Sequence, residues 1–234
     1  MTMRRNVAAT WATAVVAAAM LVMTGCATQG AGDSNPAPAV NPELSPSRVD
    51  MTKPVNVAMD TTAGTITLEL DPVHAPISTK NFLEHAAAGH YDGTVFHRVI
   101  PAFVVQGGGW TPALHEKAKD DIAAGHPDVP IKNEWQNGLK NTRGTIAMAR
   151  EEQPDTATRE FYINVADNTK LDTAREKTGN AGYAVFGRVV GGWETLEIIR
   201  TDKTGPRPDI KVDDGSMEDV PVNLVVIERV RLVK

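Results

Sequence analysis

The sequence contains very few of the residues that carry covalent or metal chemistry. Cysteine occurs once in 234 residues, which rules out an intramolecular disulfide, a CxxC redox motif and a thiolate zinc cluster. After Ser47 the only serines are Ser78 and Ser216, and neither lies in a GxSxG motif. A GxxxxGKS/T phosphate loop is absent, and the six histidines do not cluster at metal-ligand spacings. We therefore expect a protein that uses no metal, no cofactor and no nucleophile.

Positive charge is not in excess either. The chain has 24 Lys and Arg against 29 Asp and Glu, a net charge of −5. Proteins that bind nucleic acid normally show clustered basic residues, so we expect no nucleic-acid partner. Aromatic residues make up only 5% of the chain, but 41% of it is hydrophobic, which is near the globular norm. The composition thus predicts a folded domain of ordinary size and excludes a fully disordered chain.

The N-terminal segment has the layout of an export signal. Arg4 and Arg5 form a positive start, and residues 6–32 carry no charge. Val7–Met23 is rich in Ala, Val, Met and Leu, which is typical of a secretory signal. A transmembrane anchor is the alternative, because the run is long enough to span a bilayer although it is only weakly hydrophobic.

The lone cysteine, Cys26, ends this run in the sequence Val-Met-Thr-Gly-Cys. The segment resembles a bacterial lipoprotein signal, in which small residues precede a cysteine that becomes lipidated, although Met23 replaces the usual Leu. The resemblance implies that residues 1–25 are a signal peptide and that the mature chain is exported to the cell envelope. A lipid on Cys26 would hold the protein on a membrane, facing the periplasm or the exterior. A buried, inert thiol is the alternative.

A proline-rich stretch separates this signal from the rest of the chain. Residues 26–54 contain five of the fifteen prolines, together with Ala, Ser, Asn and Gly. Such a composition cannot bury a core, so it predicts an extended tether that ends near Pro54. Hydrophobic alternation begins at Val55, and residues 55–234 are predicted to form one domain.

The pattern of this domain is mainly that of strands. Val55–Met59 and Ile66–Leu70 alternate on either side of a turn, which predicts a β-hairpin. Ser78 is expected to cap a helix that runs to Ala88, and a second helix is expected at Trp193–Ile199. Further strand-like runs lie at Val95–Ile100, Phe103–Gln106, Thr145–Met148, Phe161–Val165, Tyr183–Val190 and Leu224–Leu232. About eight strands and two helices without βαβ rhythm predict a closed antiparallel eight-stranded β-barrel capped by two α-helices.

One segment of fourteen residues, Phe96–Gly109, is unusual because it places an Arg, a Gln and two Phe within strand-like sequence. This segment, FHRVIPAFVVQGGG, resembles the central signature of the cyclophilin peptidyl-prolyl cis-trans isomerases. Further matches follow in family order, and they are most similar to the bacterial periplasmic branch: Asn81-Phe82, Tyr91–Thr94, Asn141–Arg150, Phe161–Asn168 and Tyr183–Gly187. The family fold, a barrel with a helix at each end, agrees with the strand and helix count.

The resemblance implies a role for individual residues in rotation about X–Pro bonds. Arg98 would be the catalytic residue, because it would donate a hydrogen bond to the prolyl nitrogen as the amide twists. Phe103 and Tyr162 would form the walls of a proline pocket, with Val104 and Leu171 at its rim.

The same resemblance implies that three residues bind the substrate backbone. Gln106 would hydrogen-bond it and would orient Arg98, while Ala149 and Arg150 would bind the residues before proline through backbone groups. Strict strand alternation would place Phe103 and Gln106 on opposite faces, so a bend or bulge is needed to bring both into one groove.

The groove departs from the family pattern at several positions. Val104 replaces a common Met, and Tyr162 adds a hydroxyl to the pocket wall. Tyr183, a further substrate-binding position, stands where many eukaryotic members have His and bacterial members often have Tyr. Lys170 stands where many members have Trp or Phe, which is expected to weaken the binding of cyclosporin-like inhibitors.

Two positions at the groove leave alternatives open. His97 has either a structural role or a role at the substrate edge. Glu160, counted among the substrate-binding residues, stands where the family usually has Gln. It either pairs with Arg98 and competes for the guanidinium, or faces Arg159 or solvent and changes little.

We therefore predict a monomeric peptidyl-prolyl isomerase that acts on proline-containing polypeptides and assists the folding of exported proteins. A proline-binding, chaperone-like module with weak or no catalysis is the alternative, favoured if Glu160 and Lys170 disable the groove. A cell-surface adhesin is a third, less specific hypothesis.

The predicted lipoprotein signal can be tested on the mature protein. We expect the chain, produced in a bacterium with its own leader, to begin at Cys26 and to carry the added mass of acyl chains, as measured by mass spectrometry. Cys26→Ser should give an unlipidated product that no longer partitions with membranes. A mature chain that retains Met1, or an unmodified Cys26, would contradict the prediction.

Overall fold

A computed structural model describes residues 40–117, 128–212 and 215–233. The predicted signal peptide, Cys26 and most of the predicted tether lie outside the described residues. Within them, no helix is long and apolar enough to cross a membrane.

The described residues form ten strands: Val55–Thr61 (β1), Gly64–Leu70 (β2), Val95–Ile100 (β3), Val104–Trp110 (β4), Thr145–Met148 (β5), Phe161–Asn164 (β6), Val185–Gly191 (β7), Thr204–Val212 (β8), Gly215–Pro221 (β9) and Ile227–Leu232 (β10). Eight of them form the main antiparallel sheet, in the order β10-β1-β2-β7-β5-β6-β4-β3. The other two, β8 and β9, form a separate hairpin. The predicted mainly β architecture is thus confirmed.

The sheet is an open half-barrel, so the prediction of a closed barrel is wrong. Its edge strands, β3 and β10, do not pair as a ladder in the described part of the chain. They approach each other at an isolated bridge between Val95 and Val226, the residue before β10, and β9 also lies beside β3. Met217 and Val220 of β9 pack with Val95, which holds the hairpin at this edge of the sheet. The sequence pattern did not reveal this hairpin, because its strands are rich in Pro and charged residues and lack a clear alternation.

Two α-helices occur among the described residues, as predicted: α1 at Pro76–Ala87 and α2 at Trp193–Arg200. The expected cap of α1 at Ser78 is wrong, because the helix begins two residues earlier with a proline in its first turn. The Glu134 carboxylate accepts hydrogen bonds from the backbone amides of Ile77 (3.0 Å) and Ser78 (2.8 Å). A distant carboxylate therefore satisfies the free amides of the helix start, which local sequence could not show.

Strand alternation separates a buried core from a second face of the sheet. Along β6, Phe161 and Ile163 enter the main core between the sheet and the helices. Tyr162, between them, belongs to a smaller cluster with Val104 and Leu171 on the other side. The main core is largely aromatic at its centre, where Phe82, Tyr91, Phe96, Phe161 and Phe186 are fully buried. One strand thus contributes both to stability and to the surface of a groove.

The folded unit begins before the predicted boundary at Pro54. A short 3₁₀ turn, Pro42–Leu44, packs on the domain, and the Leu44 side chain is fully buried in the main core. The Asn41 amide donates to the carbonyl of Ala87 (2.8 Å), which joins this segment to the end of α1. One leucine in a proline-rich run is enough to attach the segment, because burying its side chain contributes about 1.5–3 kcal/mol to the free energy of unfolding.

The attachment at Leu44 predicts a measurable loss of stability. Leu44→Ala should lower the free energy of unfolding by about 2–5 kcal/mol, because it leaves a cavity in the core. Val40→Ala is the matched control, since Val40 is 71% exposed, and its effect should stay within about 0.5 kcal/mol. Chemical denaturation of both variants checks this. Equal, small effects would mean that the segment does not pack on the domain.

Candidate active site

Nine of the eleven predicted groove residues line one pocket of about 170 Å³. They come from β3, the turn before β4, β4 itself, the end of β5, β6 and the loop before β7. The nine are Arg98, Phe103, Val104, Gln106, Ala149, Arg150, Tyr162, Leu171 and Tyr183. The two exceptions, His97 and Glu160, lie beside and behind this pocket.

The pairing of β3 with β4 places the arginine. Irregularities in the ladder on both sides of Phe96 shift the register, so that Arg98 lies directly opposite Gln106. Its Nη1 donates to Gln106 Oε1 at 3.4 Å, and its side chain is 37% exposed. The guanidinium is therefore held at the pocket wall without being buried. Phe96 itself turns to the core, as its size favours.

The expected bend between Phe103 and Gln106 is found at the start of the strand. Phe103 lies in the turn that precedes β4, so it is not bound by the alternation of that strand. Val104 and Gln106, two residues apart, share the groove face. The turn thus brings Phe103 to the same side as both.

Glu160 does not pair with Arg98, and it does more than face Arg159 or solvent. Its carboxylate accepts hydrogen bonds from Gln106 Nε2 (2.8 Å) and from the indole Nε1 of Trp110 (3.0 Å). A chain of hydrogen bonds therefore runs from Trp110 through Glu160 and Gln106 to Arg98. A carboxylate only accepts hydrogen bonds and a guanidinium only donates them. The Gln106 amide therefore has one suitable orientation, with its nitrogen toward Glu160 and its oxygen toward Arg98.

His97 lies behind the groove and does not line the pocket, which favours the structural role over the substrate edge. The residue is 4% exposed and packs against the Trp110 ring, with ring centroids 6.0 Å apart. Its Nε2 lies 3.5 Å from the carboxylate of Glu160. Burial lowers the pKa of His97, although the nearby Glu160 carboxylate opposes this shift. The imidazole is thus held neutral behind the hydrogen-bonded chain.

The hydroxyl of Tyr162 points away from the pocket. It donates to Asn141 Oδ1 at 2.7 Å, so only the ring faces the proline pocket. Burial raises the pKa of Tyr162 well above its ordinary value, and the phenol stays a neutral donor. The fully buried Asn141 also donates to Asp172 Oδ1 (2.8 Å). Asn141 is a supporting residue that the sequence analysis missed, since only the fold brings it beneath Tyr162.

Arg150 organises the loop that closes the groove. Its guanidinium donates to five backbone carbonyls, those of Glu151, Glu152, Thr178, Ala181 and Gly182. It also lies over the ring of Tyr183, 4.4 Å from the centroid. These contacts hold the far wall of the pocket in place. The resemblance implied a role for Arg150 only through its backbone groups, so this role of the side chain was not predicted.

Lys170 covers one wall of the pocket with a cation instead of an aromatic ring. Its Nζ lies 4.8 Å from the centroid of the Phe103 ring. The neighbouring Leu171 is buried at the pocket rim. Among the described residues, no group of three or more His, Cys, Asp and Glu could hold a metal ion.

Comparison with known proteins adds to this geometry. Residues 56–231 match the family described as cyclophilin type peptidyl-prolyl cis-trans isomerase/CLD. The peptidyl-prolyl cis-trans isomerase cyp18 of Streptomyces antibioticus is 43% identical over 176 residues, covering 75% of this chain and 97% of the relative. Peptidyl-prolyl cis-trans isomerase B of Escherichia coli is 42% identical over 174 residues, covering 74% and 97%.

This chain belongs to the cyclophilin family of peptidyl-prolyl cis-trans isomerases. The fold agrees: a crystal structure of a cyclophilin type isomerase from Cryptosporidium parvum aligns with a TM-score of 0.59 at 23% identity. That alignment covers 77% of this chain and 98% of the other. The cyclophilin domain thus accounts for most of the described residues, and the pocket around Arg98 lies within it.

Proposed function

We propose that this chain accelerates cis–trans rotation about X–Pro bonds in exported polypeptides and so assists their folding. The observation that carries the proposal is the Arg98 guanidinium, held by Gln106 at the wall of a pocket formed by Phe103 and Tyr162. Relatives that cover most of the domain are named peptidyl-prolyl cis-trans isomerases, which supports the same activity.

The chemistry of the reaction fits what the groove contains. Rotation about a peptide bond must break amide resonance, at a barrier of about 18–20 kcal/mol, and uncatalysed exchange at proline takes tens of seconds or more. No bond is cleaved, so no nucleophile, metal or cofactor is needed. As the amide twists, a lone pair localises on the prolyl nitrogen, and a fixed guanidinium can donate a hydrogen bond to it. That donation is stronger in the twisted state than in either planar isomer, which is the condition for catalysis.

Catalysis also requires a site for the proline ring and contacts that hold the neighbouring residues of the substrate, and the pocket supplies both. Phe103, Tyr162 and Leu171 offer apolar walls for the pyrrolidine ring. A related Cryptosporidium parvum structure, 24% identical, was solved in the presence of the dipeptide Ala-Pro, which supports a proline ligand for this fold. Upstream of the ring, Ala149 and Arg150 line both this pocket and an adjoining one of about 340 Å³, which offers a path for the residues before proline.

The alternative of a binding module without catalysis finds less support. It is favoured if Glu160 and Lys170 disable the groove, but the Glu160 carboxylate accepts hydrogen bonds from Gln106 and Trp110 and not from Arg98. Lys170 lies over the ring of Phe103 and leaves the pocket open between its walls. These contacts leave the arginine available to substrate, which favours an isomerase.

The location of the enzyme belongs to the same proposal. Arg4, Arg5 and the uncharged run that ends at Cys26 favour export, cleavage and lipidation. A lipid on Cys26 would attach the enzyme to a membrane of the cell envelope, as a monomer related to the bacterial periplasmic branch of the family. Its substrates would then be chains that fold after crossing that membrane.

Removal of the arginine tests the activity. We expect the wild-type protein to accelerate exchange of an Ala-Pro peptide, measured by exchange NMR, and Arg98→Ala to lower kcat/KM by about 10²-fold, the usual effect of losing one transition-state donor. Arg188→Ala is the matched control, because Arg188 is exposed and pairs with Glu69 on another face. If the wild type and Arg98→Ala accelerate exchange equally little, the protein is not an isomerase of this kind.

A further inference from the structure

A carboxylate from outside the groove motif lies near Arg98. Asp219 Oδ2 is 3.9 Å from Arg98 Nε, the distance of an ion pair, whereas Gln106 accepts a hydrogen bond from Nη1. The residue belongs to β9, in the hairpin that the sequence analysis did not foresee. Its place beside the arginine is produced entirely by tertiary packing, since 121 positions separate the two residues in the sequence.

The hairpin is fixed where it meets the sheet. On either side of Asp219, Met217 and Val220 are buried and pack with Val95 and Leu114. Val95 is the first residue of β3, the strand that carries Arg98. The carboxylate is therefore presented to the arginine by backbone that is anchored on both sides.

The backbone at Asp219 is in a conformation that L-residues seldom adopt. Its φ is +55°, and only two other non-glycine residues in the described ranges have a positive φ. A left-handed residue costs free energy, although Asp and Asn tolerate it better than most, and Gly adopts it freely. A position that keeps Asp where Gly would be less strained points to a task for the side chain.

The geometry of the guanidinium shows what that task is. Gln106 accepts a hydrogen bond from Nη1, and the Asp219 carboxylate lies 3.9 Å from Nε. A hydrogen bond at one nitrogen and an ion pair near another restrict both the plane and the direction of a planar group. Within the described part of the chain, the guanidinium donates one hydrogen bond, from Nη1 to Gln106, so its other nitrogens can donate to a substrate.

We propose that Asp219 is a positioning residue that orients the Arg98 guanidinium toward the prolyl nitrogen. The inference rests on the proposed function, because it assigns to Asp219 the support of a catalytic arginine. Asp219 acts through Arg98 and does not touch substrate itself.

The size of the effect follows from the exposure of the pair. The side chains of Arg98 and Asp219 are 37% and 41% exposed, and their closest atoms are 3.9 Å apart. Such a pair is weak and is screened by salt. We therefore expect loss of the carboxylate to lower kcat by about threefold to fivefold and to leave KM nearly unchanged, because the donation of Arg98 strengthens only in the twisted state.

Two substitutions separate this role from a structural one. Asp219→Asn keeps a residue that tolerates a positive φ but removes the charge, and Asp219→Gly removes both the side chain and the strain. For both, exchange NMR on an Ala-Pro peptide should show the reduced kcat. Thermal denaturation of the Gly variant should show a melting temperature equal to or above that of the wild type. A variant that is at least as stable and yet slower is not explained by loss of packing.

The matched control is Asp209→Asn in the same hairpin. Asp209 is exposed and pairs with Arg207, so its variant should keep the wild-type kcat. Salt gives an independent readout: the ratio of wild-type to Asp219→Asn kcat should fall toward one as ionic strength rises from about 0.05 to 0.5 M.

The outcomes distinguish this inference from the proposed function. If Arg98→Ala loses activity while both Asp219 variants keep the wild-type kcat, the positioning role is wrong and the isomerase function stands. A ratio that does not change with salt, or an equal loss in Asp209→Asn, also overturns the positioning role. If the wild-type protein gives no acceleration that depends on Arg98, the proposed function itself fails.

Discussion

The structure around the groove depends on one requirement: a guanidinium must be held in a fixed direction and still be able to donate a hydrogen bond to a substrate. Arg98 meets it because the irregular pairing of β3 and β4 sets it opposite Gln106, a neutral amide. The amide is in turn oriented by Glu160, which Trp110 holds from the other side. The charge of Glu160 therefore acts on the arginine through a neutral group, and the nitrogens other than Nη1 stay available to a substrate.

The alternation of side chains along the strands supports this arrangement, because it places core and groove residues next to each other in the chain. In β6, Phe161 enters the aromatic core while the adjacent Tyr162 faces the groove, so that stability and pocket shape are set by neighbouring residues. Tyr162 is fixed from below by Asn141 and from the side by Tyr183. The pocket walls are thus held by buried polar contacts and by core packing, which suits a site that must keep its shape while the bond before a bound proline rotates.

The residues that line the pocket could be named from the sequence, because the motifs that resemble the cyclophilin signature lie on the strands and loops around it. The roles of His97 and Glu160 could not, since they depend on the indole of Trp110, which a ladder irregularity brings behind the groove. The helix cap from Glu134 and the approach of Asp219 were hidden for the same reason: each joins segments that are distant in the chain. Local patterns encode strands and turns, whereas closure of the sheet and long-range polar contacts depend on how those elements pack.

The most direct test is to keep the charge of Arg98 and remove its shape. Arg98→Lys retains a cation, but a compact ammonium on a flexible stem lacks the planar group that Gln106 holds in one direction. In exchange NMR on an Ala-Pro peptide, the account predicts that the lysine variant loses about tenfold or more of kcat/KM and approaches the alanine variant. A lysine variant with nearly the wild-type kcat/KM would show that positive charge alone is sufficient, and would contradict the account.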